Sequence, residues 1–320
     1  MPSLRTLLVA GLAAMTAAAA PGRAAAAALD DKPSLAPRSP YDADASGSGS
    51  GSGSTVVARD EPGHTPLTPK YFHEPGGSLS RGHYDQRYFQ REVEYAEHRV
   101  VLRDLVRSYL ATMHAHGVET WLAHGTLLGW WWNGRVMPWD YDLDVQVSND
   151  TLQWLADHLN RTEHPYRADA HAPAKTYLLD VNPHHVDVTR GDGMNIIDAR
   201  WIDMANGMFI DITGLRERDP ALPGYWSCKN AHRYASQDLW PMRLTDFEGA
   251  RARIPYSFEK ILSVEYGPKS LVTEEHAGHR WDRATKEWVI MTPEEKEKRQ
   301  SEARERKRLQ MVRDGRLPAP

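Results

Sequence analysis

The chain has 320 residues, 41% of them hydrophobic, a formal net charge of −4, eleven tryptophans and a single cysteine, Cys228. That apolar content supports one core of about 200 residues plus tails. The weak negative charge excludes a general affinity for nucleic acid or acidic membranes, and one cysteine excludes an intramolecular disulfide or a multi-thiolate zinc site.

In chain order, residues 1–29 read as a targeting segment: Arg5, an apolar run from Leu7 to Ala20, then Ala-rich sequence to Ala28. Pro21-Gly22-Arg23 ends the run short of the ~20 apolar residues a membrane span needs. That length favours a signal peptide over a signal anchor; either directs the chain into the secretory pathway. The sequons Asn149-Asp150-Thr151 and Asn160-Arg161-Thr162 are then candidate glycan acceptors. Residues 30–70, rich in Ser, Gly, Pro and Asp, cannot bury enough apolar area to order themselves and read as a disordered linker. The folded domain is expected over 71–290, and a charged C-terminal helix or tail over 291–320.

Gln90 to His114 carries Val93, Val100, Val101, Leu105, Val106 and Leu110 near helical spacing, so an amphipathic helix is predicted, ended by Gly117. Val118 to Ala123 predicts a short strand and His124-Gly125 a turn. Thr126 to Trp132 predicts a helix with Thr126 as N-cap and Asn133-Gly134 as its stop, although Asn133-Gly134 also suits a hairpin turn. Asp140 to Val147 predicts a strand with Asp140, Asp142 and Asp144 on one face and Tyr141, Leu143 and Val145 on the other. Thr151 to Leu159 predicts another helix. Asn195 to Ala205 and Met208 to Thr213 flank Asn206-Gly207, a strong hairpin signal. A two-residue turn there sets Ala205 opposite Met208 and Ile202 opposite Asp211, with Asp211 on the face of Met204 and Phe209 and Asp203 on the other, in a structural or solvated role. After Asp219-Pro220 the chain reads as loop-rich, with a short helix near Phe258 to Tyr266. Thr292 and Pro293 open a final charged helix with ion pairs expected between Glu294 and Lys298, Glu295 and Arg299, and Glu302 and Arg306.

The acids carry the chemistry. Three like charges on one strand face repel one another unless a cation lies among them, and oxygen-only ligands at that density suit Mg²⁺ or Mn²⁺. Asp211, on an otherwise apolar face, is costly unless paired and is a natural fourth acid. Backbone N–H groups at Gly125 and Thr126, with the helix dipole, can hold a phosphate. Arg135 and Lys175 are candidate phosphate ligands or ordinary surface cations. Trp130 to Trp132 suit packing better than ring stacking on a ligand, and His184-His185-Val186-Asp187 suits a loop better than a general base. His124 suits hydrogen bonding at the turn, and Cys228 an inert packed thiol.

A Gly-Thr turn at a helix N-terminus, an acidic strand and a later strand with one more acid describe a nucleotidyltransferase fold: α+β, a mixed sheet with flanking helices, a loop-rich C-terminal part and a charged terminal helix. The chain resembles the LicD/fukutin family in His124-Gly125-Thr126-Leu127-Leu128-Gly129, in Pro138-Trp139-Asp140-Tyr141-Asp142-Leu143-Asp144 and in Ile210-Asp211-Ile212. The likeness extends more weakly through Trp240-Pro241-Met242-Arg243, Phe247-Glu248-Gly249, Ile254-Pro255 and Tyr266-Gly267. Trp130 to Gly134 and Asn195 to Asp203 are most similar to the fungal mannosylphosphate-transfer branch. The resemblance implies transfer of a sugar phosphate, with GDP-mannose as donor, a mannan or N-/O-linked glycan as acceptor, GMP as product and the Golgi lumen as the place. By position it implies Asp142, Asp144 and Asp211 as catalytic metal ligands with Asp140 ligating or supporting them, and Gly125-Thr126 as the phosphate cradle. Where many members carry Asp, this chain has Tyr141. Two other expectations stand beside this one: a non-catalytic accessory subunit of a separate mannosylphosphate transferase, and a sugar transferase with an Asp-x-Asp metal motif, which would release GDP.

Overall fold

In the computed structural model the described residues are 69–189 and 193–317. The targeting segment and all but the last two residues of the 30–70 linker lie outside them. Among the described residues, no helix is long and apolar enough to cross a membrane.

The domain is α+β. Helix α1 (Tyr95–Ala115) begins five residues later than its apolar pattern predicts and buries Leu102, Leu105, Val106, Tyr109, Leu110 and Met113. It ends where Gly117 takes a left-handed φ of +68°. Strand β1 (Trp121–Leu122) leads into α2 (His124–Asn133), which ends on Gly134 in the left-handed conformation. Asn133-Gly134 is therefore a helix stop and not a hairpin turn. Next come β2 (Leu143–Ser148), α3 (Asn149–His158), β3 (Thr162–Tyr166), β4 (Lys175–Val181), β5 (Ala199–Asp203) and β6 (Phe209–Glu217). The sheet runs β1-β2-β6-β5-β4-β3. Its β2–β6 pairing is parallel and the neighbouring pairings are antiparallel, which makes the sheet mixed. The core holds Leu143, Val145 and Val147 of β2 with Ile210, Ile212 and Leu215 of β6, Trp121 and Trp201.

The hairpin register corrects the sequence reading. Arg200, and not Ile202, lies opposite Asp211, because Ile202 pairs with Phe209. The reversal takes four residues, Met204 to Gly207. Asp203 N–H donates to Met208 C=O at 2.8 Å, and Gly207 N–H to Asp203 C=O at 2.7 Å. The Asp203 carboxylate accepts from Ala205 N–H and the Asn206 amide, each at 2.9 Å, in an Asx-type wrap. Asp203 is thus structural and fully buried, not solvated. The two-residue shift preserves parity, so Asp211 keeps the face expected for it.

The C-terminal part is richer in strands than its loop-like composition suggests. Strands β7 (Tyr225–Ser227) and β8 (Arg233–Ala235) extend the main sheet at β6, and α4 (Ser236–Leu239) follows. Strands β9 (Arg243–Phe247) and β10 (Ala250–Ile254) form a hairpin, then come α5 (Phe258–Tyr266) and a three-stranded sheet of β11 (Glu275–His276), β12 (His279–Asp282) and β13 (Glu287–Ile290). These strands span two to five residues, too short for period-two alternation to stand out. The β9–β10 turn uses Glu248 at φ +49° and Gly249 at +75°; with Glu rather than Asn or Asp in first place it lacks the usual hairpin signature. Helix α6 (Pro293–Arg313) starts with the expected Thr292 cap, as a full capping box with Glu295. Its ion pairs differ from those expected: Glu295 reaches Arg280 on β12, and Arg299 reaches Glu275 on β11 and Glu302.

Candidate metal and phosphate site

Three segments build the site: the start of α2, the approach to β2, and β6. Helix α2 opens one residue after Ala123, so Thr126 is in its first turn and is not the N-cap. The first ladder bond runs from Leu127 N–H to Ala123 C=O; the N–H groups of Gly125 and Thr126 precede it and face the helix N-terminus. The Thr126 hydroxyl accepts from Asp144 N–H at 2.8 Å. Ala123 N–H donates to Asp144 C=O at 3.1 Å. Asp144 is therefore pinned to the start of α2 through both of its backbone polar groups.

The strand is shorter than its acidic pattern suggests. Asp140 and Asp142 lie in the loop before β2, and only Asp144 is in the strand. Asp144 and Asp211 are register partners on the parallel strands β2 and β6, so their side chains lie side by side on one sheet face. A Cβ added to Gly125 would stand 3.5 Å from Asp140 Oδ2 and 3.9 Å from Tyr266 Oη; the helix start and the acids adjoin. Tyr141 turns the other way, with its ring 4.4 Å from that of His98.

The acids feel one another. Burial, then the charges of Asp142 and Asp144, pushes Asp140 well above the usual carboxylate range. Burial, then Asp142, does the same to Asp144, with Asp211 adding and His124 opposing. Burial raises Asp211 as well, partly offset by Arg200. Arg200 Nε donates to Asp211 at 2.9 Å and its Nη2 to Glu74 at 2.7 Å. The sequence reading missed Arg200, because the two-residue register error set Asp211 opposite a different neighbour.

A second cluster, also unforeseen, flanks the first. His124 Nδ1 lies 2.9 Å from Glu265 of α5, and Tyr234 Oη of β8 donates to the same carboxylate at 2.8 Å. Burial opposes charge on His124, but the Glu265 carboxylate, with help from Asp144 and Asp142, outweighs it and holds the imidazole at about 9. The His232 ring is 4.2 Å from that of His124; burial, then the His124 charge, holds it down at about 4. Glu265 and His232 lie 141 and 108 residues from His124 and belong to no motif, so only an acid one residue before Tyr266-Gly267 could have signalled the cluster.

The remaining candidates have structural partners. The exposed Arg135 pairs with Glu287 on β13, and Lys175 with Asp104 on α1 at 2.9 Å, so neither guanidinium nor ammonium is committed to the acid face. The three indole N–H groups of Trp130, Trp131 and Trp132 donate to Thr245, Leu271 and Ser270, and the rings pack on the core. His185 Nδ1–H donates to Asn182 C=O at 2.9 Å. Cys228 is buried, and burial raises its thiol.

Four carboxylates on adjoining segments, which raise one another's pKa, are an oxygen donor set of the kind that suits a hard divalent cation. Residues 117–257 match the model described as the LicD/FKTN/FKRP nucleotidyltransferase domain; that span includes Gly125, Thr126 and all four acids and stops short of Glu265. Among curated proteins, the chain is similar to the Saccharomyces cerevisiae mannosyltransferase regulator 4, 31% identical over 199 residues, which are 59% of this chain and 16% of that protein. To mannosyltransferase regulator 14 of the same yeast it is 34% identical over 174 residues, 50% of this chain and 18% of that protein. To the human ribitol 5-phosphate transferase FKRP it is 41% identical over 168 residues, 52% of this chain and 31% of that protein. The chain thus spans under a fifth of the length of the yeast relatives it matches and about a third of the human one. By the matched domain, the mixed sheet and these relatives, residues 117–257 form a nucleotidyltransferase domain of the LicD/FKTN/FKRP type, similar to parts of the yeast mannosyltransferase regulators and of FKRP.

Proposed function

We propose that this domain is a divalent-metal-dependent phosphotransferase of the secretory pathway, acting in the Golgi lumen, that moves mannose phosphate from GDP-mannose to a hydroxyl of a mannan or N-/O-linked glycan. The reading rests on one observation above others: Asp144 and Asp211 stand in register on parallel strands beside the open N-terminus of α2. Asp140, Asp142, Asp144 and Asp211 would hold Mg²⁺ or Mn²⁺. A bound ion supplies charge neutralisation at the diphosphate as the bond to the leaving nucleotide breaks.

The chain's own groups do the rest. The N–H groups of Gly125 and Thr126 bind a phosphate oxygen, helped by the helix dipole. Arg200 offsets part of the burial cost of Asp211 and orients its carboxylate through an Nε–H bond at 2.9 Å. The Tyr266 hydroxyl, driven upward by burial and then by Asp144, stays neutral and can donate a hydrogen bond beside Gly125. The acceptor hydroxyl oxygen attacks the phosphorus that carries mannose, its proton is lost, and GMP leaves. The leader composition and the two sequons support the compartment.

The test is purified protein with labelled GDP-mannose, Mg²⁺ or Mn²⁺ and a mannan acceptor. The expected products are a mannose-phosphate diester and GMP, and Asp144→Asn lowers the rate by roughly a hundredfold or more. Release of GDP instead would identify a sugar transferase. A second reading, an accessory subunit, draws support from the yeast relatives being named regulators. Transfer by the protein alone excludes it; transfer only with an added mannosylphosphate transferase supports it.

A further inference from the structure

Beside the four acids, the described residues hold a group of metal-ligating side chains, His124, His232 and Glu265, whose donor atoms lie within 4.8 Å of one another. They come from the start of α2, the β7–β8 loop and the end of α5. We propose that His124, His232 and Glu265 form a second metal site, selective for a zinc-class ion and distinct from the Mg²⁺- or Mn²⁺-binding acids. Two imidazoles and one carboxylate are borderline nitrogen and oxygen donors that suit Zn²⁺ in a three-ligand site with an open fourth position. The oxygen-only acid set suits harder ions.

Three further observations fit a built site. Glu265 Oε2 faces His124 while its other oxygen accepts from Tyr234 Oη at 2.8 Å, as a metal carboxylate is commonly held by an outer partner. The His232 ring is oriented from behind by Cys228, whose Sγ is 3.3 Å from Nδ1. His124 adopts φ +48° and Ala231, next to His232, φ +65°. Left-handed backbone at such non-glycine residues clusters where function demands a position.

The test uses the full chain, stripped of metal and then kept in excess Mg²⁺ so that the acids are supplied separately. Zn²⁺ is titrated by calorimetry, and Co²⁺ is followed by its visible ligand-field bands. The expected result is one tight equivalent of Zn²⁺ and Co²⁺ bands of low coordination number. Both are lost in His232→Ala and in Glu265→Gln and unchanged in Asp142→Asn. Tyr234→Phe, which removes only the outer hydrogen bond, weakens Zn²⁺ by about 10- to 100-fold and serves as the deciding variant if either ligand replacement unfolds. Absence of stoichiometric Zn²⁺ in the wild type overturns the proposal. So does undiminished binding in folded His232→Ala or Tyr234→Phe, or loss of binding in Asp142→Asn. Because these readouts are binding and spectra, they succeed or fail independently of phosphotransfer.

Discussion

Asp144 shows how the site sets stability against function. Its folded-state pKa lies well above the ordinary value, chiefly from burial and then from Asp142, and Asp140 and Asp211 are raised too. For an acid raised on folding, the native state binds more protons than the unfolded chain at intermediate pH, so stability falls as pH climbs from the unfolded value through the raised one. Metal-free protein should therefore lose stability between mildly acidic and neutral pH on account of these groups. Mn²⁺ or Mg²⁺ should raise Tm more at pH 7 than at pH 5, where protons compete for the same oxygens. Asp144→Asn should raise the Tm of the metal-free protein, by about 2–4 °C per kcal/mol of relieved burial and repulsion, and abolish the increment from metal. Scanning calorimetry at the two pH values measures both; a metal shift that is larger at pH 5, or one that survives in Asp144→Asn, would remove the acids from the ion's site. Sequence spacing marked Asp140, Asp142 and Asp144 as acids two apart, but only Asp144 lies in a strand, and its pairing with Asp211 came from the β2–β6 register. Arg200 escaped that reading, since its neighbour across the sheet depends on the loop length between two strands.

At the level of elements, the loop that carries Asp140 is held from two sides. Helix α2 approaches it so closely that a Cβ on Gly129 would stand 2.5 Å from Arg135 C=O and 3.4 Å from Met137 N. From the other side, the β9–β10 turn grips the same loop: Glu248 N–H donates to Gly134 C=O at 2.8 Å, and its carboxylate accepts from Val136 N–H at 2.9 Å. Arg107 of α1 in turn binds Glu248 C=O. This explains why a Glu occupies a left-handed turn position that Asn or Gly fills more readily. Gly129→Ala has only rigid backbone to push against, so it should destabilise by about 1–3 kcal/mol and weaken metal binding through displacement of the Asp140 loop. Urea denaturation and Mn²⁺ titration of the same variant check the two effects; an unchanged midpoint would mean that the α2–loop contact is looser than its geometry implies. The glycine itself was legible in sequence, while its reason was not, because the contact joins a helix to a loop through backbone atoms alone.

Across the whole molecule, charge is distributed unevenly between the core and the C-terminal helix. No residue of α6 is buried, and its anchors, Glu295 to Arg280 and Arg299 to Glu275, are exposed ion pairs, each worth at most about 1 kcal/mol. Truncation after Thr292 should therefore lower Tm by no more than about 3 °C and leave nucleotide release unchanged. Differential scanning fluorimetry and the GMP assay check this; a collapse of the cooperative transition would show that α6 contributes to the core's folding. The segment between Tyr225 and Ile290, by contrast, supplies His232 from the β7–β8 loop and Glu265 and Tyr266 from α5, so the site is completed by the part of the chain that reads most weakly as structure.

Local pattern in the chain was enough to mark α1, α2, β2 and α6 to within a few residues, along with the glycine turn and the acid-rich approach to β2, because each is written in neighbouring residues. Only the tertiary structure decided the Arg200–Asp211 register, the Glu248 clamp and the meeting of His124 with His232 and Glu265. Those contacts join residues separated by 11 to 141 positions, and no short-range periodicity encodes which distant side chains a folded sheet will bring to the same face.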